Sequence, residues 1–403
     1  MDPLLYFLLA SRLQHGLGRA RRIEGGMPSR QPARCRRYFL PSANCAHPTE
    51  LLGFWTVVLM RPNFRRLAVC LALLAGSITW AQSPGVQELL RGGQAALDAD
   101  DYPRAAASFE RARQIAPENL PANRGLVLSL LQLGRLTEAI QVGREAAARW
   151  PQDAQLQHWL GLAYFKAGQN ALALETLRRS EALDGGHFDI HFDLALVSLQ
   201  QSQYAPAADE LEKAIKLQPS HPVAHVLLGR AYQNTNRTVQ AIEQFQTALR
   251  IDPNTPLGHY HLGFAYASLG RNPEAIAEYR KELVRSPDNP QLLYQLGHCL
   301  LETGEVKEAL PHLKRATELD PGNADPAYDL GKALLLGGDT EAAVTELQRC
   351  IELKPGDPSP HYQLARALQK LGKTDQARQE WQRFAELKKA QPEMGGMATG
   401  RPQ

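Results

Sequence analysis

The sequence predicts an all-α solenoid of nine 34-residue helix-turn-helix units, and three regularities carry that prediction. Counted from Val86, alanine holds the twentieth place of every unit: Ala105, Ala139, Ala173, Ala207, Ala241, Ala275, Ala309, Ala343 and Ala377. Leucine holds the seventh place at Leu126, Leu160, Leu194, Leu228, Leu262, Leu296, Leu330 and Leu364. Proline stands at the thirty-second place at Pro117, Pro151, Pro219, Pro253, Pro287, Pro321 and Pro355. Units start at 86, 120, 154, 188, 222, 256, 290, 324 and 358, with no insertion or deletion before Gln391. Self-similarity at a fixed period of this length is the signature of stacked supersecondary units.

Each regularity has a physical reason. Leucine at place seven falls where the first helix must be apolar. Proline at place 32 ends the second helix, because it cannot continue one. At place eight, Gly93, Gly161, Gly229, Gly263, Gly297 and Gly331, with the small Ala195 and Ala365, let two antiparallel helices approach. These glycines are expected opposite the alanines at places 20 and 27. One helix pair cannot bury its own apolar face, so pairs stack and share a continuous core.

These residues resemble the tetratricopeptide repeat family, whose unit has large-Leu-Gly-Tyr in its first helix, Gly at the turn, Ala and an aromatic in the second, and Pro at its end. Repeat five carries His225, Leu228, Gly229, Tyr232, Ala241, Phe245, Ala248 and Pro253. Repeat six carries Leu262, Gly263, Tyr266, Gly270, Ala275, Tyr279 and Pro287, with Glu282 in place of the second alanine. Repeats two and three depart most, through Val127, Gly143, Ser180 and Gly185, and the pattern fixes their packing and boundaries least. The resemblance implies a right-handed superhelical solenoid over residues 82–391 that binds protein or peptide partners on its concave face.

In the family that face is lined by places two, five, nine, twelve and thirteen of the first helix. The partner-binding residues this implies are Tyr260, Phe264, Tyr294, His298, Tyr328, Lys332, Tyr362 and Arg366, a row of rings mixed with positive charge. Aromatic and Arg side chains are favoured at protein interfaces. Tyrosine at place five also belongs to the generic repeat pattern, a reading that implies no ligand. In repeats one to four the same places give Leu97, Leu128, Leu131, Leu162, Phe165, Leu196 and Leu199, an apolar alternative. The family's clamp for the carboxylate end of chaperone tails needs Asn residues that are missing here, so that function does not carry over.

Composition agrees with a folded, soluble array, with 44% hydrophobic and 22% charged residues. The net charge of +3 sums two unlike parts. Residues 1–81 hold eleven Arg, no Lys and three acids, leaving 34 basic and 39 acidic side chains, a net −5, for residues 82–403. No basic face suggests nucleic acid.

From Met60 the chain reads as a secretory signal over residues 60–81. Arg61, Arg65 and Arg66 precede an apolar run from Leu67 to Ile78, and Thr79-Trp80-Ala81 precedes the expected cleavage. The run is shorter than the roughly 20 residues that span a bilayer. The expectation is therefore an exported protein, periplasmic or secreted, with no stable membrane span after cleavage; an uncleaved anchor holding an envelope assembly factor is the alternative. Residues 1–59 read as an extension ahead of the true start at Met60, or else Leu4–Ala10 and Leu51–Met60 associate with membrane without spanning it. Residues 392–403 are expected to be a disordered tail.

No phosphate loop, nucleophile elbow or metalloprotease motif occurs, so neither an enzyme nor a cofactor is expected. Cys299 and Cys350 are expected as two separate buried thiols, since cysteine behaves as a small core residue. His187/His191 and His221/His225 have metal-ligand spacing on a helix, but no Cys or carboxylate completes a closed set. His191, His225, His259 and His361 share place four, where the family packs a large ring, and no metal is expected. Glu302, Asp325 and Lys332 read as solvated face residues. The oligomeric state is not encoded legibly.

Overall fold

The computed structural model describes residues 84–390; the predicted export signal and carboxyl-terminal tail lie outside them. Eighteen helices and no strand occur among the described residues. They fall into two compact units divided after Gln201. The first holds α1 (Pro84–Asp98), α2 (Tyr102–Ile115), α3 (Leu120–Gln132), α4 (Leu136–Arg149), α5 (Ala154–Lys166), α6 (Asn170–Leu183) and α7 (Phe188–Gln200). The second holds α8 (Tyr204–Leu217), α9 (Pro222–Asn234), α10 (Thr238–Ile251), α11 (Gly258–Ser268), α12 (Asn272–Leu283), α13 (Pro290–Glu302), α14 (Val306–Leu319), α15 (Ala324–Gly337), α16 (Thr340–Leu353), α17 (Pro358–Lys370) and α18 (Thr374–Ala390). The helices of repeat four, α7 and α8, belong one to each unit. No described helix is long and apolar enough to cross a membrane.

The helix ends follow from a few residue types. Place 34 caps the first helix: the side chains of Asn119, Asp153, Asn289, Asn323 and Asp357 accept backbone N–H groups of its first turn. Place 15 turns the chain between the two helices in the left-handed region at every repeat. Gly134, Gly168, Gly270, Gly304, Gly338 and Gly372 hold it in six repeats, and Asp100, Ser202 and Asn236 in the other three. A residue without Cβ takes this conformation at least cost.

The alanines at place 20 are all buried. The eighth-place glycine, however, does not face their side chains. A Cβ on Gly229 would come within 2.5 Å of the Phe245 ring, one on Gly297 within 2.6 Å of Leu313, and one on Gly331 within 2.7 Å of Leu347. The large side chain at place 24 lies across the glycine, and alanine contributes its backbone: Ala275 O would be 3.2 Å from a Cβ on Gly263. Close packing here leaves no room for a methyl group.

Place four is also more than a packing position. Asn123 Nδ2 donates to Pro117 O at 3.1 Å, Gln157 Nε2 to Pro151 O at 3.4 Å, His191 Nε2 to Gly185 O at 2.9 Å and His225 Nε2 to Pro219 O at 2.9 Å. In repeats two to five a side-chain N–H thus satisfies the carbonyl at place 32, where the preceding helix has stopped.

Repeat six carries irregular helices. Its first helix starts at Gly258, two residues after the frame position occupied by Pro256, behind Leu257 in the left-handed region at φ 57°. Place 27, which meets that start, is where this repeat departs. Ser180 Oγ donates to Ala154 O at 2.7 Å and Cys350 Sγ lies 3.4 Å from Ala324 O, so this place touches the first residue of its own unit. Glu282 cannot do the same, because a carboxylate accepts and a carbonyl has no proton to give. The helix starts later, and the Glu282 carboxylate faces the backbone N–H groups of His259 and Tyr260. Thr255, which should cap the helix, donates instead to Asp252 O at 2.6 Å. Gly258 makes the turn feasible, since a Cβ there would meet Leu249 at 2.8 Å.

Candidate functional site

The first helices α11, α13, α15 and α17 of the second unit carry Tyr260, Tyr294, Tyr328 and Tyr362 at one place of the repeat. Tyr260 is half-buried, its ring 6.0 Å from Tyr279 and 5.3 Å from His261, with its hydroxyl held by Gln291 of the next repeat. Tyr294 lies 6.0 Å from the His298 ring. Tyr328 is half-buried, with Gln363 of the following repeat at its hydroxyl. Tyr362 is the open one, 38% exposed and set edge-on to Trp381 at 5.0 Å. Burial raises the hydroxyl pKa of Tyr260, Tyr294 and Tyr328, so all three present a neutral O–H.

Beside these rings, place nine presents Phe264, His298, Lys332 and Arg366. Phe264 is 38% exposed. His298 Nδ1 sits 2.7 Å from Asp329 Oδ2, and this hydrogen bond raises its pKa above the ordinary value. Lys332 Nζ donates to Glu302 Oε1 at 2.8 Å. Arg366 lies over Tyr362, 5.8 Å from the ring centroid, and donates to Gln363 Oε1 at 3.2 Å. Glu302 and Lys332, expected as separate solvated residues, are therefore an ion pair joining repeats seven and eight. The face mixes rings with the paired charges of His298 and Lys332 and with Arg366, which is oriented by Gln363.

Sequence reasoning missed the groups that hold this row: Asp329 and Gln363 at place six, Glu302 at place thirteen and Gln291 at place two. Their signal is an acid or amide about one period before or after the group it holds, a relation invisible until successive first helices lie side by side.

The apolar alternative in the early repeats is not an open groove. Leu97, Leu131, Phe165, Leu196 and Leu199 are all buried, and of the seven residues only Leu128 and Leu162 are half-exposed. The paired histidines are likewise engaged. His187 sits 2.9 Å from Asp184, His221 accepts the Ala224 N–H as a helix cap, and His225 lies 2.8 Å from Gln244. His259 and His361 lie 2.6 Å from Glu278 and Glu380. Cys299 and Cys350 are free, buried thiols, each pushed up to about 11 by burial.

Paired helices on one 34-residue frame define a helical-repeat solenoid, a class that works through its surfaces. Tetratricopeptide repeat profiles match residues 90–154, 160–222, 304–352 and 334–396, and a TPR repeat profile matches 235–270. Together they cover more than half of the sequence, and the chain belongs to the tetratricopeptide repeat family. Among solved structures it is similar to MamA, at 24% identity over 40% of this chain and 95% of that one, with a TM-score of 0.39. YrrB, described as a TPR protein with an unusual peptide-binding site, is 22% identical over 47% of this chain and 97% of its own, with a TM-score of 0.43. PilF of Pseudomonas aeruginosa is 18% identical over 52% and 95%, with a TM-score of 0.46. No curated protein matches the chain.

Proposed function

We propose that this protein is an exported scaffold that binds protein or peptide partners on the first-helix face of repeats six to nine, and that it acts by binding rather than by catalysis. The observation that carries the reading is the row of tyrosines and place-nine side chains, in which Tyr260, Tyr328 and His298 are held by the next repeat and Lys332 by the preceding one. Side chains fixed before binding lose little entropy when a partner arrives, and rings are the usual anchors of such contacts. Export rests on the signal sequence from Met60 to Ala81.

A variant with Tyr294→Ala, Tyr328→Ala and Lys332→Ala tests the face in repeats seven and eight. None of the three stands at the small or leucine places of the frame, although Tyr328 packs against Leu347 and Leu364, so helical circular dichroism should be kept and is measured alongside. Each ring anchor at a real interface is worth about 2 kcal/mol, roughly a thirtyfold loss of affinity. Affinity capture from cell-envelope extract should lose partners that the parent retains, and equal capture would reject the face. For export, a reporter fused after Gln391 should be active outside the cytoplasm, and mass spectrometry should find Gln82 first.

A further inference from the structure

We propose that repeat nine is a docking surface for an acidic segment of a partner protein that alternates carboxylates with apolar or aromatic side chains; this rests on the binding face described above and names the partner chemistry at its carboxyl-terminal end. The charge of the array is uneven. Residues 82–357 hold 26 Lys and Arg against 35 Asp and Glu, a net −9, whereas residues 358–390 hold seven against three, a net +4. The three acids of repeat nine are engaged: Glu380 with His361 at 2.6 Å, Glu386 with Arg383 at 3.1 Å and Asp375 with Arg378 at 3.5 Å. Arg366, Lys370, Lys373, Lys388 and Lys389 form no ion pair among the described residues.

Two of these cations frame a cluster of three rings. Tyr362, Trp381 and Phe384 lie 5.0, 5.4 and 6.2 Å apart, with Arg366 5.8 Å from Tyr362 and Lys388 5.7 Å from Phe384. In repeats five to eight the place-24 side chains Phe245, Tyr279, Leu313 and Leu347 are wholly buried; Trp381 at the same place is half-exposed. At place 27 the earlier repeats carry Ala, Ser, Cys or Glu, and repeat nine carries Phe384. Rings and unpaired cations thus alternate at side-chain spacing, which an acidic and apolar peptide complements.

Long polyanions fit less well, because the negative remainder of the array repels them beyond the local patch, while a short acidic segment stays within a Debye length of about 8 Å. A membrane surface is the alternative occupant that the vesicle arm of the test addresses.

The test uses fluorescence anisotropy of the full chain with a synthetic peptide of alternating Glu and Phe. A peptide with Lys in place of Glu, and phosphatidylserine vesicles, serve as comparisons. The acidic peptide should bind, the Lys peptide and the vesicles should not, and added salt should weaken binding. Arg366→Gln with Lys388→Gln should weaken it about tenfold or more, while circular dichroism stays unchanged. Equal binding by parent and variant overturns the proposal. So does association with vesicles in place of peptide, or a charge-dependent self-association in sedimentation that the variant abolishes. Loss of envelope partners in the repeat seven and eight variant, with the repeat nine variant binding the peptide like the parent, would sink this inference and leave the proposed function standing.

Discussion

Repeats five and six follow one another in the second unit and share almost every frame residue, yet Ala248 at place 27 of one is Glu282 in the other. Repeat five starts its first helix at Pro222 on the frame, with His221 as its cap. Repeat six, with a proline at the same position, starts two residues late behind a left-handed leucine. A non-glycine residue in that region costs on the order of 1 kcal/mol or more. Glu282 is itself buried, its Oε2 without a hydrogen-bond partner among the described residues, and burial raises its pKa. One side chain on the second helix thus lies at the start of the first helix of its own unit, where the two repeats differ. Tyr260 and Phe264 project from that first helix. Helix boundaries in this array are tertiary properties.

The largest effect should come from moving the difference into the regular repeat. Ala248→Glu would bury a carboxylate against a helix start that has no turn to receive it. A loss of about 3 kcal/mol or more is expected, because an unpaired buried charge is among the costliest single changes. Denaturant unfolding measures it, and a loss below about 1 kcal/mol would show that the late start in repeat six has another cause.

A smaller, pH-dependent effect should distinguish the two repeats in the parent. Because the folded pKa of Glu282 is raised, the folded state binds the proton more tightly than the unfolded chain. Its stability contribution is thus greatest below the ordinary glutamate range and falls as pH rises through the raised value. Amide exchange of Tyr260 and His261 should slow, relative to matched amides of α9 and after correction for intrinsic exchange, as pH is lowered from neutral toward 4.5. Glu282→Gln should remove that trend; its persistence would assign the pH response elsewhere.

The smallest effect concerns the paired charges of the candidate face. His298 has a raised pKa because Asp329 holds its proton, so this pair stabilises fully below the ordinary histidine value and weakens as pH rises through the raised one. Its side chain is 42% exposed, which limits the contribution to under about 1 kcal/mol. In an NMR titration Asp329→Asn should return His298 toward 6.5 with no change in helicity. An unshifted titration would mean that the two side chains do not meet in solution.

Much of this was legible in the sequence because the 34-residue frame is unbroken. Alanine at place 20 and proline at place 32 locate each helix pair, and Tyr260, Tyr294, Tyr328 and Tyr362 share one place without any knowledge of structure. The early apolar row misled, since Leu97 and Leu131 occupy the same places as face residues yet are buried. Place in a repeat fixes the direction of a side chain from its helix, but exposure depends on what the neighbouring helices put there. The partners Asp329, Glu302 and Gln363 were illegible for the same reason, standing about one repeat away along the chain from the groups they hold.

The sequence by itself determined the all-helical repeat, its period and the distinct charge of repeat nine, because these follow from residue type at fixed spacing. Only the tertiary structure decided that the eighth-place glycine receives the side chain at place 24, that Glu282 lies at a late helix start, and that His298 and Lys332 of the candidate face are paired. Each of those depends on atoms brought within a few ångströms by helix packing, where volume and hydrogen-bond complementarity, rather than local propensity, choose the arrangement.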